Sequence, residues 1–232
     1  MLTIKMTAID KRRDMADALR KSLDLRDSDI FWDDRPEDAR GDAMYTVRKA
    51  WLSPQEPGET HRLVISEDLE VCENFRQICE EMIKAHPDAC FSPFTTVLND
   101  PYYDEFCNGL KTPYVAHQIG IFGCAILLPS HLIKEAFDWI DSNLPPDVMD
   151  NTAMNAWLRH KGLQVLTTVP CTIQHIGDIS IVDPAWPVRR STRFDLHATA
   201  DWSNTEVASF PELEWFKPYE WAVFRPKKGE KR

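Results

Sequence analysis

The sequence predicts an α/β fold: a mixed, mostly parallel sheet flanked by helices, with an aromatic-rich, irregular extension at the carboxyl end. Three observations carry that expectation. Short apolar runs alternate with segments of helical period, two of the early runs end abruptly in carboxylates, and beyond Pro184 the texture changes to Trp and Phe interleaved with Pro and polar residues. The first two mark strands buried in a sheet and exposed only at their tips. The third marks a segment with no period of its own.

Residues 2–9 read as a strand, and residues 13–23 as a helix with Met15, Ala18, Leu19 and Leu23 on one face. Residues 29–32 are a second apolar run, ending in Asp33 and Asp34 before a loop rich in Pro, Asp and Gly. Asp42 stands where a cap would open a helix over 43–52 that buries Met44, Val47 and Trp51, closed by Pro54, Pro57 and Gly58. Leu63, Val64 and Ile65 form the third strand, and a helix over 70–85 turns Val71, Phe75, Ile78, Met82 and Ile83 inward until His86 and Pro87 end it. Three strands with intervening helices imply parallel pairing and a ligand crevice at the carboxyl edge. Further along come a strand over 90–97, a polar and aromatic covering loop over 99–113, a strand over 120–128 and a helix from a Ser130 cap to 143. A helix over 151–161 and a strand over 165–169 complete a domain taken as 1–183, with 184–232 as the extension and its basic tail.

At 232 residues the chain is long enough to bury a substantial core. No apolar run approaches the roughly 20 residues that span a bilayer, and the opening MLTIKMTAIDKRR lacks a secretory pattern, so the expected location is the cytoplasm. Six scattered cysteines without a CxxC pair read as free, mostly buried thiols. A net charge of −10 argues against a surface that attracts nucleic acid everywhere, yet Arg189, Arg190 and Arg193 with the terminal RPKKGEKR make one local basic strip.

The most informative stretch is HRLVISEDLEVCENF, residues 61–75, where the apolar strand ends in Glu67, Asp68 and Glu70. Carboxylates at such a tip suit Mg²⁺ or Mn²⁺, which takes one or two protein carboxylates and completes its shell with phosphate and water. The plainer reading is that these acids stand in the first turn of the next helix and favour its dipole.

Four pieces, TAIDKRR, IFWDD with RKAW behind it, HRLVISEDLEVCENF and PCTIQHIGDIS, together resemble a GT-A (Rossmann-like) fold glycosyltransferase over roughly residues 3–180. The similarity is to the small bacteriophage-type and lipooligosaccharide-type enzymes, distantly similar to the collagen galactosyltransferase group. It implies a nucleotide-sugar donor, a UDP-sugar foremost, held through Mn²⁺ or Mg²⁺. Asp68 is then the first metal ligand, Glu70 a second, and His175 a residue on a returning loop that reaches the metal or the diphosphate. Outside the resemblance, a lone His after an apolar run is a structural hydrogen-bonding residue. Glu67 stands where the family more usually has Asp and is counted with the donor-binding residues. The base and ribose are expected over the backbone of Thr7, Ala8 and Ile9 and beside Asp33, with Arg12 or Arg13 and Arg48 as cationic contacts to the donor; the alternative for Asp33 is a loop cap, and for the arginines solvated charge.

Asp150 is the candidate base over the anomeric carbon, or else the cap of the helix behind it. The acceptor is expected to be a hydroxyl. A hydroxymethylated pyrimidine in phage DNA would use the basic strip, and glycan or lipid-linked acceptors compete with it. A two-metal phosphoester hydrolase would need more His and Asp than the chain gathers. A carbohydrate-binding or virion-associated protein retaining the fold without turnover is the non-enzymatic alternative.

Overall fold

The computed structural model describes residues 1–35, 44–95, 101–116, 123–146, 148–178 and 190–210. Asp42, the loop behind Asp34, Trp186, Arg189, Trp215, Phe216, Trp221 and the basic tail lie outside the described residues. Strands β1 (Leu2–Ala8), β2 (Ile30–Trp32) and β3 (His61–Ser66) form the parallel flank of the main sheet, separated by helices α1 (Arg13–Leu23) and α2 (Met44–Trp51). Beyond β3 lies the antiparallel β7 (Ala125–Pro129), then β5 (Cys90–Ser92) and β8 (Val165–Thr168), parallel to each other. The far edge is β6 (Tyr114–Ala116) and β10 (Ala208–Ser209). The eight strands thus run in the order β10-β6-β8-β5-β7-β3-β1-β2, mixed and mostly parallel, with helices on both faces.

Period-two alternation divides the core between the two faces. Leu63 and Ile65 of β3 join Leu2, Ile4 and Met6 under α1 and α3 (Phe75–Ala85), whereas Val64 joins Ile126 and Leu128 under α2, α5 (Ile133–Asn143) and α6 (Asp150–Lys161). Arg62 is wholly buried in the same strand. Its guanidinium donates to Glu59 at 2.9 and 3.0 Å and to the carbonyls of Ala50, Trp51, Ser53 and Pro54 at 2.7 to 3.2 Å, so it holds the carboxyl end of α2 and the return into β3. None of the six cysteines is in a disulfide, and among the described residues no helix is long and apolar enough to cross a membrane.

Several expected elements differ. The segment after β3 is not the start of a helix: residues 67 and 68 bend, β4 (Leu69–Val71) pairs antiparallel with β9 (Ile173–His175) in a small second sheet, and α3 begins only at Phe75. The expected covering loop over 99–113 contains helix α4 (Pro101–Asn108), opened by a proline whose missing N–H costs nothing in a first turn. Ser130 does not cap α5; it opens a short 3₁₀ turn and its hydroxyl donates to Glu59 at 2.8 Å. The described part of the extension packs on the domain at Trp202, which is buried and whose carbonyl accepts from the Tyr114 hydroxyl at 2.5 Å, and adds the edge strand β10 to the sheet.

Candidate functional site

Strand β1 has β2 on one side and β3 on the other, so chain direction across the sheet reverses at β1. Such a switch point leaves a crevice beyond the carboxyl ends of the strands, because the connections on either side leave in opposite directions. Three segments converge there. The 3₁₀ turn Asp10–Arg12 follows β1, Glu67 and Asp68 follow β3, and the small sheet carries residues 175–177 back to them.

Asp68 is the centre of this cluster. Its Oδ1 accepts from the Ser66 hydroxyl at 2.9 Å, its Oδ2 faces His175 Nε2 at 3.0 Å and also pairs with Arg12 Nη1, and its carbonyl accepts from Ile176 N–H at 2.9 Å. Arg12 Nη1 lies 3.4 Å from Glu67 Oε1 as well, so one guanidinium serves two buried carboxylates. Gly177 completes the packing. A Cβ there would stand 2.6 Å from Asp68 Oδ2 and 3.2 Å from both Arg12 Nη2 and His175 Cε1, so only a glycine lets the chain pass this close. Behind it, Arg190 donates to the carbonyls of His175 at 3.1 Å and Ile176 at 3.4 Å, and Gln174 exchanges two hydrogen bonds with the backbone of Ser191 at 2.8 and 2.9 Å.

The two acids differ electrostatically although they are neighbours. Burial raises the Glu67 carboxyl to about 7, and the charge of Asp68 pushes it the same way, against the weaker pull of Arg12. Burial works on Asp68 too, but the hydrogen bond and charge of His175, with Arg12 and Ser66, outweigh it and hold Asp68 below its ordinary value. Asp68 is therefore the ionised partner at neutral pH. Ser66 and His175 both face Asp68 and make no described hydrogen bond to each other, so the three do not form the serine–base pair of a nucleophilic triad.

Glu70 is not brought to this cluster. The bend at 67–68 breaks the extended spacing that would have aligned it with Asp68, and in the β4–β9 ladder Leu69 opposes His175 while Glu70 opposes Gln174, on the other face, exposed. Among the described residues no group of three or more His, Cys, Asp and Glu side chains is arranged to hold a metal. The donor set of Asp68 and His175, a carboxylate oxygen and an imidazole nitrogen, nevertheless suits Mn²⁺, and these two residues, whose Oδ2 and Nε2 stand 3.0 Å apart in a direct contact, are the ones that would hold such an ion.

The remaining expected residues distribute as follows. Thr7 reaches across the sheet to the Ile65 carbonyl at 3.5 Å, and the carbonyls of Ala8 and Ile9 accept from Asp33 N–H at 2.8 Å and Arg12 N–H at 3.0 Å. Asp33 is buried at the end of β2 in a paired contact with Arg35, at 2.8 and 2.9 Å. Arg13 pairs with Asp10 at 2.5 Å and lies over Trp32, 4.3 Å from the ring centroid. Arg48 pairs with Asp141 of α5 and lines a separate groove with Phe31, Tyr45 and Leu144. Asp150 is the first residue of α6 rather than its cap, which is Met149, and a Cβ on Gly123 would meet its carboxylate at 2.8 Å. Gly123 precedes Cys124, whose carbonyl accepts from Ser66 N–H at 2.8 Å, so Asp150 stands at the same sheet edge as the Asp68 cluster. Arg193 donates to Asn108 at 2.9 Å, and Arg190 is spent on β9 as described.

Ser66, Gly177 and Gly123 were not among the residues the sequence singled out. The glycine two positions after His175 was the one visible signal. No family model matches the chain, and no curated protein matches it.

Proposed function

We propose that this chain is a divalent-cation-dependent glycosyltransferase of the GT-A kind, moving a hexose or pentose from a nucleotide-sugar, a UDP-sugar foremost, to a hydroxyl acceptor. The observation that carries the proposal is the meeting of Asp68 and His175 beside Arg12 at the switch point between β1 and β3. The pairing of β4 with β9 sets His175 opposite Leu69 and so beside Asp68, where a donor site would use it.

Asp68 and His175 would hold the cation, leaving its other positions to phosphate oxygens and water. When bound, it neutralises the charge that builds on the departing diphosphate. Arg12 adds a second positive charge and a fork of N–H donors at the same place. Asp150, in the first turn of α6 and close to Gly123, takes the proton of the attacking hydroxyl. Glu67, raised to about 7 by burial and by the charge of Asp68, carries less than a full negative charge at neutrality and so adds less repulsion toward the diphosphate. Arg190 and Arg193 spend described donors within the fold, so the acceptor is proposed only as a hydroxyl, of a hydroxymethylated pyrimidine in DNA or of a glycan or lipid-linked sugar.

Thermal stabilisation by nucleoside diphosphates, with Mn²⁺ and then with EDTA, tests the reading. One nucleotide should raise the melting temperature with Mn²⁺ only, and Asp68→Asn should lose that shift while keeping its fold. Stabilisation by sugars that ignores Mn²⁺ would instead indicate a carbohydrate-binding protein.

A further inference from the structure

In the cluster just described every oxygen of the Asp68 carboxylate is already engaged. Oδ1 takes the Ser66 hydroxyl, and Oδ2 takes both His175 and Arg12. Gly177 stands on the remaining side, where a Cβ would meet Oδ2, Arg12 Nη2 and His175 Cε1 together. A divalent ion on Oδ2 would have to share that oxygen with a guanidinium, and two positive charges at that spacing repel strongly where water is scarce. The side chain of Arg12 is only 14% exposed and that of Asp68 only 5%.

We infer that Arg12 is an exchangeable stand-in for the metal: it holds Asp68 and Glu67 when the donor site is empty and moves to the diphosphate as the cation takes Asp68 and His175. The inference rests on the glycosyltransferase reading and adds to it an order of assembly. Arg12 sits on a short 3₁₀ turn at the mouth of the crevice, and its fork suits phosphate as well as carboxylate. Without a cation in one form or the other, the buried Asp68 carboxylate would be left to Ser66 and His175 beside a second acid. With the exchange, the metal binds weakly alone and well with a nucleoside diphosphate, because the diphosphate supplies the new partner that releases Arg12. The protein then does not retain a bare metal ion between turnovers.

The test is Mn²⁺ titration of the nucleotide-free full chain, followed by electron paramagnetic resonance of free Mn²⁺, for wild type, Arg12→Ala and Arg12→Gln, then repeated with UDP present. Far-ultraviolet circular dichroism checks each fold, and Arg12→Gln keeps a neutral donor for Asp68 should Arg12→Ala fail to fold. Without nucleotide, the Arg12 variants should bind Mn²⁺ more tightly than wild type by at least about fivefold, the low end of ordinary coupling between sites. With UDP, that advantage should vanish or reverse. Equal or weaker Mn²⁺ binding by the variants, with UDP and Mn²⁺ still binding the wild type together, would overturn the exchange and leave the transferase reading standing. No Mn²⁺ or UDP binding by any of the three, in any combination, would overturn both.

Discussion

Replacing Gly177 by alanine separates close packing from backbone freedom. The φ of Gly177 lies outside the left-handed region, so alanine meets no backbone penalty there; the cost comes from a Cβ 2.6 Å from Asp68 Oδ2 and 3.2 Å from Arg12 and His175. A carboxylate held by three hydrogen-bonding groups cannot swing aside freely, and overpacking of this kind costs about 1–3 kcal/mol, or roughly 2–10 °C in a chain of this size. Gly162 makes the control. It closes α6 at φ +70 with nothing within 4 Å of where a Cβ would stand, and Leu163 N–H and Gly162 N–H return to Leu158 and Arg159 at 2.9 and 3.0 Å, so alanine there costs about 1–2 kcal/mol through backbone conformation alone. The two variants should lose similar stability in urea unfolding. They should differ in coupling: combining Gly177→Ala with Asp68→Ala relieves the clash, so the double variant should be more stable than the sum of its singles by roughly 1 kcal/mol, whereas Gly162→Ala with Asp68→Ala should be additive. Wild-type stability in Gly177→Ala, or additivity with Asp68→Ala, would refute the reasoning.

Three other outcomes follow from the same contacts. Arg62→Met should cost about 3–5 kcal/mol and lower Tm by roughly 10 °C, because it strands Glu59 and four carbonyls in the interior; a melt within about 2 °C of wild type would show that this network contributes little. Glu67 titrates in the folded chain at about 7 against an ordinary 4.5, so the folded state holds the extra proton and stability should decline as pH rises through that interval. Glu67→Gln should match wild type near pH 5 and exceed it near pH 8, and parallel pH profiles of the urea midpoint would contradict the assignment. Asp150→Asn should slow sugar transfer in single-turnover assays by about 10²–10⁴ while leaving nucleotide affinity unchanged; an unaltered rate would make Asp150 a structural first-turn residue.

Much of the parallel flank was legible because its elements carry complete periods. Leu2–Ala8, Arg13–Leu23 and, across the sheet, Asp150–Lys161 stand within a residue of where the pattern puts them. The far flank was not, since strands of two or three residues such as β6, β9 and β10 are too short to show alternation, and their partners are distant in sequence. In the same way Asp68, Glu70 and His175 could be named together, but not that Glu70 stands apart from the other two. Its place depends on the bend at 67–68 and on the register that sets Glu70 against Gln174. Arg12 was one cation among several near β1, and only the turn after that strand distinguishes its place from that of Arg13, which lies over Trp32.

The pairing of β4 with β9 also dates the site within the life of the chain. During synthesis β1, α1, β2 and β3 emerge first, and they can pair with one another long before residues 173–177 exist. Through that interval Asp68 has Arg12 and Ser66 for company but neither His175 nor Gly177. The clasp of Arg190 and Ser191 on β9 comes later still. A nascent or truncated chain ending before that clasp would therefore lack the His175 contact to Asp68 and the close pass of Gly177, so this cluster is completed only as one of the final events of folding.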